Sequence, residues 1–478
     1  MKKRVKCTHY KIIQKPATRK IQNNKTLTRS DTMFENKKVL ILGLARSGIA
    51  AAKFLKKRNC EVIINDKKEK EDEKLLKELN DLGIKVILGS HPDNLITKEL
   101  DYLIKNPGVP IDHKYVLKAK ELGIPVINEV EMAYRCIPKD KNIKILAITG
   151  SNGKTTTTTL CYEFLKRDNR KVILAGNIGY PLCSFIDSLE NDTIIVIEVS
   201  CQQLENLSKF NPDVAIMTNI VEAHIDFMKT YEHYKYVKSK LLRNQSSSDV
   251  AILNKESRDL LDSVMDVKST KKYFSSKNVI NGAYLLNDSI YYYDERIIPV
   301  SDLKLRGVHN YENIMAAIMG VKEFGCNTSS IISVLKEFTG VTHRLEFVCN
   351  KNGRNFYNDT EATNIKCTQI ALSSFSEPTI ILLGGLERGQ KFEDLTPYMK
   401  NVKAIIAMGE CENRVKEFGD SLGIPTYLCD YIDKATKKAY EISSSGDVIL
   451  LSPGSASWDQ FKQCEDRGDL FKKIANSF

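Results

Sequence analysis

The sequence predicts an α/β protein of three domains, near residues 33–127, 128–340 and 341–478. Two observations carry this. Short apolar runs alternate with helix-length segments along nearly all of the 478 residues, the pattern of β-α-β units that build parallel sheets. These runs also fall into three separate sets, and a chain of this length exceeds what one core supports. The first set opens with a buried strand over 39–44, an Ala/Leu helix over 46–57 and a second strand over 61–66, followed by runs at 85–88, 102–106 and 126–128. The second begins at 143–149 and continues at 171–175, 193–200, 214–219 and 249–254. Near 283 the period changes: Ala283-Tyr-Leu-Leu, a turn at Asn287-Asp288, then Ile290-Tyr-Tyr-Tyr293 read as an antiparallel hairpin. A helix over 310–324 follows, and a third strand set lies at 379–384, 403–408, 425–428 and 447–451.

Composition excludes several classes. Hydrophobic residues at 42% and charged residues at 27% exclude wholesale disorder and fibrous repeats. No apolar run reaches the ~18 residues of a membrane helix, so no membrane partner is expected. The net charge of +11 is concentrated in residues 1–32, whose ten Lys/Arg and single acid, Asp31, leave +2 for the remainder. That stretch lacks the apolar centre of a secretory signal. With Met33 directly after it, the expectation is a translation start at Met33 or a disordered tail. Nucleic-acid binding would rest on this tail alone and is not expected. The twelve cysteines form no C-x-x-C pair, which fits a reduced, cytoplasmic protein.

The sharpest local signal is Ala147-Ile-Thr-Gly-Ser-Asn-Gly-Lys-Thr-Thr156, between a strand and a helix. Gly150 and Gly153 let the backbone curl so that N–H groups around Ser151 and Asn152 face phosphate oxygens, aided by the helix N-terminus. Lys154 can reach terminal phosphates, and Thr155 or Thr156 can offer a hydroxyl to Mg²⁺. Ile148 stands where the common phosphate loop has its first glycine, yet strand, glycines and helix together predict ATP binding. A second glycine turn, Gly43-Leu-Ala-Arg-Ser-Gly48, resembles the dinucleotide fingerprint, with Ala45 at the middle glycine and Asp66 23 residues beyond Gly43. A dehydrogenase has no use for an ATP cradle a hundred residues on. One site for a diphosphate-bearing substrate and another for ATP accounts for both.

With Lys105-Asn-Pro-Gly-Val-Pro110, Gly176-Asn-Ile-Gly179, Glu198-Val-Ser200, Thr218-Asn-Ile-Val-Glu-Ala-His-Ile-Asp226, Gly307-Val-His-Asn-Tyr-Glu-Asn313, His343-Arg-Leu-Glu346, Asp359-Thr-Glu-Ala-Thr-Asn364 and Leu451-Ser-Pro-Gly-Ser-Ala-Ser457 in order, the chain resembles the Mur ligase family from about Lys37 to Phe471. The resemblance implies a Rossmann-like UDP-binding domain, a P-loop ATPase-like central domain and a Rossmann-like C-terminal domain. It implies ATP-dependent amide formation in peptidoglycan precursor synthesis, through an acyl phosphate, by a monomer. The first domain and C-terminal motifs look like those of the member that adds D-glutamate to UDP-N-acetylmuramoyl-L-alanine. Alternatives are a related amide ligase using another amino acid, or a catalytically silent nucleotide-binding homologue. No D-N-P-[RA] motif of a diaminopimelate- or lysine-adding ligase is present.

The family's roles carry over by position. ATP would meet the 150–156 turn, Asn313, Arg344 and Asp359, the last two from the third domain, which implies closure. Arg344 offers a planar fork to a phosphoryl group. UDP would meet the 43–48 turn (Gly43, Leu44, Ala45, Arg46, Ser47, Gly48) and Asp66. Asn177 would contact the substrate near the reacting atoms, and D-glutamate would meet Thr363, Arg388 and Ser457. Two Mg²⁺ are implied, with Thr155, Glu198, His224 and Lys238 as ligands. Lys238 serves there as a CO₂-derived carbamate, which requires a neutral amine. On a predicted 231–244 helix, Lys235 and Lys240 are its rivals. Two positions depart from the family pattern: Glu361 where lysine is usual, with Lys366 or Lys391 to replace its charge, and Cys464 where an aromatic is common.

Overall fold

The computed structural model describes residues 33–478 apart from Arg306, with the side chain of Asp226 also outside the description. The expected alternate start or tail, residues 1–32, lies outside the described residues.

Three sheets organise the chain. The first is all parallel, with β1 (Lys38–Leu42), β2 (Glu61–Asn65), β3 (Lys85–Ile87), β4 (Tyr102–Lys105) and β5 (Val126–Ile127) in the order 3-2-1-4-5. Strand β2 stops one residue short of Asp66, which therefore starts the following loop.

The second sheet holds β6 (Lys144–Thr149), β7 (Val172–Gly176), β8 (Ile194–Glu198), β9 (Val214–Met217), β10 (Val250–Asn254), β11 (Thr270–Ser275), β12 (Gly282–Leu286), β13 (Ser289–Tyr292) and β14 (Glu295–Pro299), in the order 14-13-12-11-10-9-6-8-7. Every residue of β8 is buried, as a central parallel strand requires. The predicted hairpin is present, its Asn287 and Asp288 both at positive φ. Strand β11, Thr-Lys-Lys-Tyr-Phe-Ser, was not predicted because its polar half disguises a parallel strand.

The third sheet holds β15 (Glu346–Lys351), β16 (Arg354–Asn358), β17 (Thr379–Gly384), β18 (Val402–Met408), β19 (Thr426–Leu428) and β20 (Val448–Leu451), in the order 15-16-20-17-18-19. The β15–β16 hairpin also escapes sequence reading, since neither strand is an apolar run.

The sheets fall into two compact units. One comprises the described residues up to Asp302 with His309–Val334 and contains the first two sheets; the other comprises Leu303–Val308 with Leu335–Phe478. In each sheet the strand order reverses at one point, and ligand sites of open α/β sheets lie at carboxyl ends there. The reversals fall at β1/β4, at β6 between β8 and β9, and at β20 between β16 and β17. The glycine turns and the 452–457 segment follow β1, β6 and β20 respectively.

Helix Lys154–Arg167 contains five consecutive threonines, poor helix formers. It survives because this face is buried and because Thr158 returns its hydroxyl to the Lys154 carbonyl at 2.8 Å. The predicted 231–244 helix is shorter: α-helix runs Tyr231–Ser239, then 3-10 turns over Lys240–Leu242. The helix predicted over 310–324 spans Val308–Lys322. All eleven described cysteines are free thiols. Among the described residues no helix is long and apolar enough to cross a membrane.

Candidate functional site

The 150–153 turn is locked from both sides. Gly150 (φ +153) and Gly153 (φ +80) cannot be replaced: a Cβ would lie 1.9 Å from Thr218 Oγ1 and 2.1 Å from Asn313 Oδ1. The Asn152 N–H donates to Asn219 Oδ1 at 2.9 Å, and its carbonyl accepts from Thr218 Oγ1 at 2.5 Å. Ser151 shares a hydrogen bond with the Tyr234 hydroxyl at 2.7 Å and accepts the Val221 N–H at 2.9 Å. Lys154 Nζ folds over the turn, donating to the carbonyls of Gly150 at 3.0 Å and Ser151 at 2.8 Å. The residues that hold this cradle, Thr218, Asn219 and Tyr234, were not assigned from sequence, although two of them sit inside a quoted motif.

Lys238 lies beneath the cradle, 1% exposed, donating to Gly150 O at 2.7 Å and Thr149 Oγ1 at 3.1 Å. Burial, and next to it the Lys154 cation, pulls its amine down to about 7. The rivals differ in kind. Lys235 is ion-paired with Glu232 at 2.7 Å and raised by it, and Lys240 donates to the Glu205 carbonyl. Only Lys238 of the three is fully buried against the turn.

Glu198 ends β8 wholly buried. Its Oε1 accepts from Asn177 Nδ2 at 2.7 Å, while Oε2 is buried without a hydrogen-bond partner. An orphaned buried carboxylate oxygen is unfavourable alone and fits a cation ligand. Thr155, at the first turn of the helix, is buried. His224 is exposed at left-handed φ (+56), where it precedes the short helix Ile225–Met228; its ring lies 6.5 Å from that of Tyr234. Asn313 is buried beside Gly153.

The first glycine turn is held by two residues. Asp66 Oδ2 accepts the Leu44 N–H at 2.6 Å. Asn106, not singled out from sequence, donates to Gly43 O at 2.7 Å and accepts from Ser47 Oγ at 2.8 Å. Ala45 caps the helix Arg46–Lys56 in extended conformation, and Gly48 allows close packing, since a Cβ would meet Gly43 O at 2.3 Å. The Arg46 guanidinium bonds the Gly179 carbonyl.

In the C-terminal unit, Asp359 is committed internally. It accepts from Ser452 Oγ at 2.8 Å and Leu345 N at 3.1 Å, and burial raises its carboxyl to about 7. It thereby anchors the turn carrying Arg344. Arg344 Nη2 lies 3.4 Å from Glu361 Oε2. The Arg388 guanidinium stacks on Trp458 at 4.6 Å, next to Ser457, whose buried hydroxyl has no partner; Thr363 is exposed. Glu361, Cys464 and Glu465 bring ligand atoms within 4.8 Å of one another, so the two departures from pattern are neighbours.

A glycine turn over a buried lysine and a half-satisfied carboxylate fits an ATP-using α/β enzyme, and the domain comparisons define its class as a ligase. The Mur ligase MurD-like N-terminal domain matches residues 37–128, the Mur ligase middle domain 148–321, and the Mur ligase glutamate ligase domain 343–454. The chain belongs to the Mur ligase family. It is 42% identical over 442 residues to the UDP-N-acetylmuramoylalanine–D-glutamate ligase of Bacillus cereus (strain AH187), covering 92% of this chain and 97% of that protein. The protein of the same name from Geobacillus kaustophilus is 42% identical over 441 residues, with the same coverage. Among solved structures, the UDP-N-acetylmuramate-alanine ligase MurC of Thermotoga maritima shares the fold with a TM-score of 0.59 at 18% identity, covering 92% of this chain and 99% of that one. MurF of Acinetobacter baumannii does so at 0.56 and 17%, covering 86% and 90%.

Proposed function

We propose that this chain joins D-glutamate to UDP-N-acetylmuramoyl-L-alanine with ATP, in peptidoglycan precursor synthesis. The observation that carries the reading is the 42% identity to ligases of that name across 97% of their length. A carboxylate is a poor electrophile in water. Transfer of the γ-phosphoryl group from ATP to the terminal carboxylate of the acceptor gives an acyl phosphate and ADP. The amine of D-glutamate then attacks the acyl carbon, the amide bond forms, and inorganic phosphate leaves.

In this reading the rigid 150–156 turn and Lys154 hold the triphosphate, Asn313 supports the turn from behind, and the 43–48 turn with Asp66 takes the UDP. Asn177 orients the acceptor while fixing Glu198. Thr363, Arg388 and Ser457 take the two D-glutamate carboxylates; the Ser457 hydroxyl, buried without a partner, supports that role. Arg344 faces phosphate. Thr155, Glu198 and His224 are the residues that would hold Mg²⁺, which supplies charge neutralisation on phosphate and carboxylate oxygens. The depressed amine of Lys238 supports its modification by CO₂ to a carbamate, an added anionic ligand. The division into domains 33–127, 128–340 and 341–478, a monomeric state and a cytoplasmic location belong to the same reading; free thiols support the last.

The test is an amino-acid panel measuring ADP formation with the UDP-sugar acceptor and Mg²⁺, repeated with Lys154→Ala. D-Glutamate alone should drive turnover, and Lys154→Ala should abolish it. ATP binding with no turnover for any amino acid would instead identify a silent homologue, a reading to which the Glu361–Arg344 pair points.

A further inference from the structure

One face of the helix Arg46–Lys56 packs Gly48, Ala51, Ala52 and Leu55 inward. A neighbouring stripe, at the i, i+3/i+4, i+7 spacing of one helical face, opens with the 180–184 turn into a cleft of about 360 Å³. Its charge is one-sided: Arg46, Lys53 and Lys57 line it, and no acidic side chain does. Phe54, Tyr180 and Cys183 supply apolar and aromatic wall. Three acids stand behind the lining, the buried Glu129, which accepts the Cys183 N–H at 2.7 Å, and two at the surface. Glu78 pairs with Lys53 at 2.6 Å and Asp187 with Lys57 at 3.4 Å, exposed pairs that an incoming anion can displace, Asp187 keeping its shorter bond to Arg58 at 2.8 Å. At the lower end of the range for small-molecule sites, this volume suits a compact ligand and not a whole sugar nucleotide.

The cleft is also connected to the catalytic side. Arg46, at its mouth, bonds the Gly179 carbonyl. Gly179 closes the turn that carries Asn177, whose amide holds Glu198 at 2.7 Å. An anion that draws the guanidinium toward itself removes the side-chain tether of that turn and leaves it to the Gly176 N–H bond to the Tyr180 carbonyl and the Asn177 N–H bond to the Glu198 carbonyl.

We propose that this cleft binds a small anion with an aromatic or aliphatic body, one phosphate, sulfonate or carboxylate on a compact apolar group, and that its occupancy lowers ligase turnover by releasing Gly179 from Arg46. The binding half stands independently of the catalytic reading; the inhibitory half rests on it.

The probe is 1-anilino-8-naphthalenesulfonate, titrated by fluorescence into the full chain with ATP, Mg²⁺ and UDP saturating, so that the nucleotide sites are occupied. Saturable one-to-one binding is expected, weakened at least fivefold in Lys53→Ala/Lys57→Ala and by added salt, and abolished in Ala50→Trp, which fills the cleft. Should Ala50→Trp fail to fold by circular dichroism, Lys53→Glu takes its place, with the same loss expected. No saturable binding, equal affinity in the lysine variant, or competition by UDP overturns the site. The probe should also inhibit D-glutamate-dependent ADP formation in the wild type, with its half-inhibitory concentration rising at least fivefold in the lysine variant. Inhibition unchanged there overturns the coupling and leaves the binding result standing. A protein that binds the probe as expected but makes no ADP sinks the ligase reading alone.

Discussion

Lys238 gives the most quantitative test. Carbamate forms from the neutral amine, so the amount of reactive amine sets how readily the group appears. With its amine lowered to about 7, Lys238 is roughly nine-tenths neutral at pH 8, whereas an ordinary lysine at 10.5 is neutral to only about 0.3%, a ratio near three hundred. At pH 6 the neutral fraction falls to roughly a tenth, so carbamate and D-glutamate-dependent turnover should decline together, about tenfold, between pH 8 and 6. The assay is ¹³C NMR of protein equilibrated with ¹³C-bicarbonate, read beside ADP formation under the same conditions. One carbamate resonance is expected at pH 8, absent from Lys238→Met and retained in Lys235→Met and Lys240→Met. The same lysine has a stability signature. Its folded value lies below its unfolded one, so the unfolded chain binds the extra proton between about 7 and 10.5, and stability rises with pH across that window. Lys238→Met should flatten that rise. A resonance that survives Lys238→Met, or no resonance at pH 8 in an active enzyme, refutes the reasoning.

Three further outcomes follow from the geometry. Gly153→Ala forces a Cβ to within 2.1 Å of Asn313 Oδ1 at a left-handed φ, so kcat/KM for ATP should fall by about a hundredfold or more while the thermal midpoint drops only a few degrees. Asn106→Ala removes both of its hydrogen bonds to the first glycine turn, about 2 kcal/mol in all, leaving the Asp66 bond; steady-state kinetics should show acceptor KM up by about tenfold with ATP KM unchanged. Glu361→Lys replaces a half-exposed anion beside Arg344 by a cation. A close charge pair at an effective dielectric of ~20 is worth about 4 kcal/mol, and solvent screening reduces this to about 1, so ATP KM should fall about fivefold; no change would mean that Glu361 does not face the nucleotide.

Much of this was legible in the sequence because it depends on local chemistry. The 150–156 and 43–48 turns announce themselves through glycines between a strand and a helix, and the fold class through three sets of apolar runs. The β11 strand and the β15–β16 hairpin did not, since their burial is decided by neighbours far along the chain and their polar residues break the apolar signal. The same distinction divides the site. Most residues expected to touch ligand lie on recognisable turns, with Glu198 at a strand end and Lys238 and Asn313 on helices. Those that hold the turns in shape, Asn106, Thr218 and Asn219 just past β4 and β9 and Tyr234 on the helix Tyr231–Ser239, act across 59 to 83 positions of sequence.

Asp359 shows how a motif residue can also hold its neighbours in place. Expected to meet ATP, it also gives one oxygen each to Ser452 and Leu345, and burial pushes its carboxyl up to about 7. That arrangement ties the 343–346 turn to the end of β20, and the turn carries Arg344. The motif residue and the guanidinium therefore act as anchor and arm, and Glu361, two positions along, meets the arm from the side. The departure at Glu361 thus changes what Arg344 is paired with while leaving its anchor intact. For that reason its substitution should register in ATP affinity and leave the fold of the C-terminal unit unaltered.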